Sequence, residues 1–300
     1  MSKENEWIGV MLLMKLEKKI GLYAVGLLAV LMLIFSFTDL AISRAIYNPK
    51  SLYGLFFEAF GEFPGALVST FSIAALIITR NRTAKWKSAI SILGYGILLV
   101  LSGLMSAVMP FKYLGGPKPL IPAVAVLLIA LCLYGASMIK PEYRAALRRA
   151  AIIGLLTFLC AIIIVNVIKN FWGRPRFRSM VDPLLSFTAW YLPQGIASGE
   201  EFRSFPSGHS ANSAVVIWIS LLPTFLPSLK GKERPLFIGA MVWALLVMFS
   251  RVVMGAHFAS DVTVGVTITL ASFLLLSKAF RPVKENTKEK EMVIKEKMVS

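Results

Sequence analysis

Cysteine and histidine are nearly missing from this 300-residue chain, which holds two of each. Cys132 and Cys160 each lie deep inside an apolar run, which argues against a disulfide framework or a thiolate metal site. Charge is scarce as well, at 16% of residues, and acids are outnumbered two to one, 16 Asp+Glu against 32 Lys+Arg. With 57% hydrophobic residues and a mean hydropathy of +0.71, the composition departs from that of a soluble domain and belongs in a bilayer. A net charge of +16 would suit a nucleic-acid binder if the basic residues formed a stripe. They fall instead in short loops between apolar runs, so membrane topology accounts for them and no nucleic-acid partner is expected.

What the sequence does have is a series of runs long enough to cross hydrocarbon as helices, near Ile20–Thr38, Pro64–Thr79, Ser88–Met109, Leu120–Met138, Ala150–Ile168, Ser210–Leu226, Pro235–Met254 and Phe258–Ser277. The expected fold class is all-α, a polytopic membrane protein of about eight transmembrane helices with a helical-bundle core. The aromatic-rich stretch Leu52–Phe63 reads as an interfacial helix ahead of the second run. Residues 1–19 form a polar N-terminal segment without a small-residue cleavage site after it, so the first run reads as an uncleaved anchor. Residues 20–149 hold four spans, residues 150–277 the remaining core, and residues 278–300 a charged tail. Placing both termini in the cytoplasm puts 22 of the 32 basic residues inside, as the positive-inside rule requires.

Some basic residues defy that trend. Lys169, Arg174, Arg176, Arg178 and Arg203 share one outer loop, and Arg251 lies at the outer end of the seventh run. Headgroup snorkelling accounts for one such residue, but a cluster points to an anionic ligand. Both histidines, His209 and His257, map to the same level. Asp261 follows His257 at the i to i+4 spacing of one helical face, where a carboxylate can fix the Nδ1 proton and leave Nε2 as a nucleophile. His209 follows Pro206, Ser207 and Gly208 at a loop-to-helix junction, whose free N–H groups favour phosphate. Zinc is the rival ligand for His and Asp residues, but surrounding cations would repel it, and phosphate held by Lys and Arg fits better.

Three segments carry a resemblance to a known family. Lys169 is separated from Arg176 by six residues, with Phe177 where the family pattern has proline; Pro206, Ser207, Gly208 and His209 follow; and Ser250, Arg251, His257 and Asp261 complete the set. Together they resemble the three-part signature of the type 2 phosphatidic acid phosphatase superfamily, over roughly Ala150–Ser277. Arg174-Pro175 offers a shifted register, but Arg176 is the residue that matches once Gly173 and Arg174 take the fourth and fifth places after the lysine.

The resemblance implies that Lys169, Arg176, Ser207, Gly208 and Arg251 bind the substrate phosphate. It implies too that His257 attacks phosphorus, Asp261 orients it, and His209 protonates the leaving group. No cofactor and no metal are then required. The expected function is metal-independent hydrolysis of a lipid phosphate or pyrophosphate, of the undecaprenyl pyrophosphate, phosphatidylglycerol phosphate or phosphatidic acid type, through a phosphohistidine at the extracytoplasmic face. The expected partners are the lipid phosphate and the bilayer. A phosphatase for a soluble ester, a lipid phosphotransferase and a non-enzymatic lipid transporter or binder stay open as alternatives.

Overall fold

The computed structural model describes residues 18–80 and 85–281. Most of the expected N-terminal segment and charged tail therefore lies outside the described residues, which contain helices and no strand. In chain order the helices are α1 (Lys18–Ile46), α2 (Leu52–Phe60), α3 (Phe63–Ile78), α4 (Lys85–Leu114), α5 (Leu120–Ser137), α6 (Arg144–Trp172), α7 (Gly208–Ala214), α8 (Glu233–Val253) and α9 (Ala259–Ala279). Seven helical segments among these residues are long and apolar enough to span a membrane, so the chain is a polytopic helical membrane protein.

The expected first run stops too early at Thr38. The helix continues to Ile46 because Asp39, which in lipid would end it, is buried against partners from elsewhere in the chain. The expected interfacial helix is α2, and it runs almost directly into α3 as one bent apolar segment, Leu52–Ile78. Its ring packing anchors it to α8: Phe57 meets Trp243 edge-on at 5.2 Å between ring centroids, and the Tyr53 hydroxyl donates to the Leu246 carbonyl.

The sixth run, Ser210–Leu226, is the one that departs from a regular α-helix. Only α7 is α-helical, and Val215–Thr224 continues as a 3₁₀ helix. Part of the cause is a contact from α9: the Thr269 hydroxyl donates to the Ala211 carbonyl that Val215 N–H would use in an α-helix, and Val215 N–H turns to Asn212 and Ser213. Pro223 contributes no N–H further along. At about 1.5 Å per α residue and about 2.0 Å per 3₁₀ residue, the 17 residues still cover roughly 30 Å, a hydrocarbon thickness. Because the segment is enclosed by protein, its irregular backbone meets no lipid.

The core gathers around α3 and α6. The former packs against α4, α5 and α6, while α9 packs against α6 and α7. Small residues make these contacts close: a Cβ on Gly65 would lie 2.0 Å from the Asn212 carbonyl oxygen, and one on Gly265 would lie 2.4 Å from that of Ser207. Those two glycines press α3 and α9 against the start of α7. Hydroxyls join α3 to α4, with Thr70 bonding Ser102 at 2.9 Å and Ser106 at 3.1 Å.

Candidate active site

The ends of the helices that alternate in direction bring the same face of the bundle together. Helices α4, α6 and α8 finish there and α3, α7 and α9 begin there. A cavity of about 420 Å³ opens between them, lined by Lys112 and Tyr113 of α4, Asn166 and Lys169 of α6, His209 and Asn212 of α7, Arg251 of α8, Glu58 of α2, and Glu62. His257, from the turn between α8 and α9, and Arg176, Arg178, Glu200, Glu201 and Arg203, from the loop between α6 and α7, close it.

His257 is sealed, at 2% exposure. Its Nδ1 lies 2.6 Å from the Ser204 carbonyl oxygen, which can only accept, so the proton sits on Nδ1 and Nε2 keeps its lone pair. The direct bond expected from Asp261 to Nδ1 is absent: the nearest carboxylate oxygen is 3.8 Å away. Asp261 is committed elsewhere. It accepts from Arg174 Nη1 at 2.6 Å, from Ser204 Oγ at 2.5 Å and from the Phe258 amide at 2.8 Å, the last closing the first turn of α9. Asp261 thus meets His257 by way of Ser204, whose hydroxyl donates to the carboxylate while its carbonyl lies against Nδ1. Burial, with Lys169 and Arg176 nearby, depresses the His257 imidazole to about 3 while the Asp261 carboxylate acts to raise it.

His209 faces the other side of the cavity. Its Nδ1 lies 3.3 Å from Glu62 Oε1, and its Nε2 is buried without a hydrogen-bond partner. Arg251 gives Nη2 to Glu58 at 2.8 Å and leaves buried Nε and Nη1 unpartnered. Arg176 stands 3.7 Å from both Glu200 and Glu201 and also keeps an unpartnered Nε. Lys169, 8% exposed, donates to the Arg203 carbonyl at 2.9 Å. Hydrogen bonds from Arg203 and Arg178 hold Glu200 and Glu201 below the usual carboxylate range. Buried donors without acceptors on residues lining one cavity suit an anion with several oxygens.

Of the residues expected from sequence, Lys169, Arg176, Gly208, His209, Arg251 and His257 share this cavity. Asp261 lies behind it. Ser207 does not line it, since its hydroxyl caps α7 by accepting from Ser210 N–H at 3.3 Å. Phe177, in place of the pattern's proline, is buried edge-on to Tyr47 at 5.1 Å, and Arg178 N–H bonds the Gly255 carbonyl at 3.0 Å, so the loop is tied down on both sides of Arg176.

Sequence reasoning missed Asp39, Glu58, Glu62 and the second role of Arg174. The Arg174 guanidinium is fully buried, donating to Asp261, to Ser260 Oγ at 2.8 Å, to Asp39 at 3.0 Å and to the Thr188 carbonyl at 3.0 Å, over the Phe258 ring at 4.2 Å. A signal was there: Asp39 is an acid at the end of an apolar run, and Glu58 and Glu62 lie four apart in an aromatic segment.

Comparison with known proteins bears on the same region. The PAP2 superfamily matches residues 150–284. Phosphatidylglycerophosphatase B of Bacillus subtilis (strain 168) is 42% identical over 79 residues, 26% of this chain and 39% of that protein. The protein of the same name from Haemophilus influenzae is 36% identical over 85 residues, 27% of this chain and 33% of its own length. The chain thus matches well under half the length of these relatives, and no solved structure matches it. Residues 150–284, the part of the chain that matches the PAP2 superfamily, supply both histidines, Asp261 and the Lys169, Arg176 and Arg251 cations.

Proposed function

We propose that the protein is a membrane phosphatase that removes phosphate from a lipid through a phosphohistidine at His257. The observation that carries this reading is the set of unpartnered nitrogens of Arg176, Arg251 and His209 on residues that line one cavity with the buried His257, whose Nδ1 is taken by a carbonyl. Lys169, Arg176, Arg251 and the Gly208 N–H hold three phosphate oxygens, and Nε2 attacks phosphorus in line. The P–O bond to the alcohol breaks as His209 Nε2 gives it a proton. Water then attacks the phosphorylated ring, His209 takes a proton back, and the P–N electron pair returns to His257. The Asp261 carboxylate, 3.8 Å from Nδ1, stabilises the positive charge that the phosphorylated ring carries.

A site at helix ends lets acyl or prenyl chains stay in the bilayer while the phosphate enters the cavity. Among lipid phosphates, the names of the two relatives favour phosphatidylglycerol phosphate. The distribution of basic residues supports cytoplasmic termini and an extracytoplasmic site. Residues 150–277 then form the catalytic core and the upstream helices its support.

The test is phosphate release from a panel of lipid and soluble phosphates by purified protein in detergent, with EDTA present and with vanadate as inhibitor. Release from a lipid phosphate in EDTA, blocked by vanadate and abolished in His257→Ala together with acid-labile phosphoenzyme, is the expected result. Activity that disappears in EDTA and returns with Mg²⁺, or that survives in His257→Ala, would overturn the mechanism.

A further inference from the structure

We propose that Glu62, which lies outside the residues matching the superfamily, is the positioning residue of His209 and sets it up as the proton carrier; this rests on the phosphatase reading above. The two histidines differ in what meets Nδ1. For His257 it is a neutral carbonyl, that of Ser204, while for His209 it is the Glu62 carboxylate at 3.3 Å. A neutral acceptor favours an uncharged imidazole, as a nucleophile needs. A carboxylate favours the imidazolium, as a proton donor needs, and here it acts against burial and the Arg251, Lys169 and Arg176 charges, which push the His209 imidazole down. Glu62 reaches this place because Gly65, one turn further along α3, has no side chain to hold the helix away from Asn212 on α7.

The contact keeps one nitrogen working. With Nδ1–H fixed on Glu62, His209 Nε2 donates its proton to the departing alkoxide and becomes neutral without changing tautomer. When water attacks the phosphorylated His257, the same Nε2 takes the water's proton, the P–N bond breaks toward His257, and the imidazolium on Glu62 is restored. Each turnover consumes one ester and one water and returns both histidines to their starting state. Nε2 is buried and has no hydrogen-bond partner, and His209 lines the cavity shared with His257, as this cycle requires.

The plainer role for Glu62 would be to balance cations, since Lys112, Lys169 and Arg251 also border the cavity. Arg251, however, already has Glu58 at 2.8 Å, and His209 is the basic group paired with Glu62 among the described residues. A carboxylate acting on charge alone would oppose phosphate binding equally for every substrate. One acting through His209 affects substrates according to their leaving groups.

The experiment compares full-length wild type, Glu62→Gln, Glu62→Asp, His209→Ala and the Glu62→Gln/His209→Ala double variant in detergent, each checked for thermal stability. The readout is kcat/KM on a lipid phosphate and on p-nitrophenyl phosphate, whose leaving group needs little protonation. Glu62→Gln should lose about 10- to 100-fold on the lipid phosphate and far less on the aryl ester. Glu62→Asp should recover part of the loss, and the double variant should be no slower than His209→Ala. Equal losses on both substrates, a lowered KM on both, or a further loss in the double variant would overturn the assignment to Glu62 while leaving the phosphatase reading intact. If wild type released phosphate from neither substrate, that reading would fail and this inference with it.

Discussion

Arg174 Nη1 lies 2.6 Å from Asp261 Oδ1, with both side chains sealed from solvent, and the same guanidinium reaches Asp39 on α1 at 3.0 Å. One cation thus bridges the first span to the carboxylate behind His257. Arg174 and Arg176 are two residues apart in one loop and do different work, the first behind the histidine and the second in the cavity. Removing one partner of a buried ion pair leaves the other uncompensated and costs about 3–5 kcal/mol. Arg174→Met should therefore lower the melting temperature in detergent, whereas Arg176→Met should leave it nearly unchanged and raise KM. Thermal unfolding and steady-state kinetics on both variants check this; the opposite pattern would reverse the two assignments.

The His257 imidazole, held at about 3 by burial, stays neutral in the folded protein across the mildly acidic range. An unfolded histidine takes a proton near 6.5. Its contribution to stability is therefore fully present above about 6.5 and is lost as pH falls from there toward 3. For activity, kcat/KM on p-nitrophenyl phosphate, corrected for substrate ionisation, should show no loss from His257 protonation between pH 7 and 5. An acid limb near 6.5 that persists unchanged in His209→Ala would contradict a neutral, buried nucleophile.

The helical class, the span positions and the cavity cations were legible in the sequence because each rests on local pattern: run length, flanking charge and motif spacing. Arg176 rather than Arg174 as the cavity residue was also legible, from the resemblance to the family pattern. What was hidden depends on packing between distant segments. The Asp261 to Nδ1 bond follows from i to i+4 geometry, yet Ser204, 53 residues before His257, supplies the acceptor once its loop folds over α9. The shift of Val215–Thr224 to a 3₁₀ helix depends on Thr269, 58 residues beyond Ala211. Glu62 reaches His209 only because Gly65 brings α3 against α7.

Orientation in the membrane gives a separate prediction. A cysteine placed in the loop between α6 and α7, at Val181 or Ile196, where the native side chains are exposed, should react with an impermeant thiol reagent in intact cells. One placed at Arg80, at the opposite end of α3, should not. The reverse pattern would put the cavity on the cytoplasmic side and remove the basis for an extracytoplasmic substrate.

Asp261→Asn tests what the carboxylate does once it is not the direct partner of Nδ1. The Ser204 carbonyl keeps the His257 proton on Nδ1 in either variant, so the loss should come mainly from charge and from broken packing of donors. Asparagine offers one acceptor oxygen where Arg174, Ser204 Oγ and Phe258 N–H all donate, and its NH₂ would face one of those donors. The phosphorylated ring, positively charged with Nδ1 protonated, would lose the carboxylate 3.8 Å away. Phosphoenzyme formation should therefore slow by about 10²- to 10³-fold, a loss comparable to that for removing one preorganised electrostatic group. Because the attack on phosphorus is common to all substrates, the loss should be similar for a lipid phosphate and for p-nitrophenyl phosphate, unlike that in His209→Ala. Rapid-quench measurement of phosphoenzyme on both substrates decides it: a loss confined to the lipid phosphate would tie Asp261 to leaving-group protonation, and no loss would leave it with packing alone.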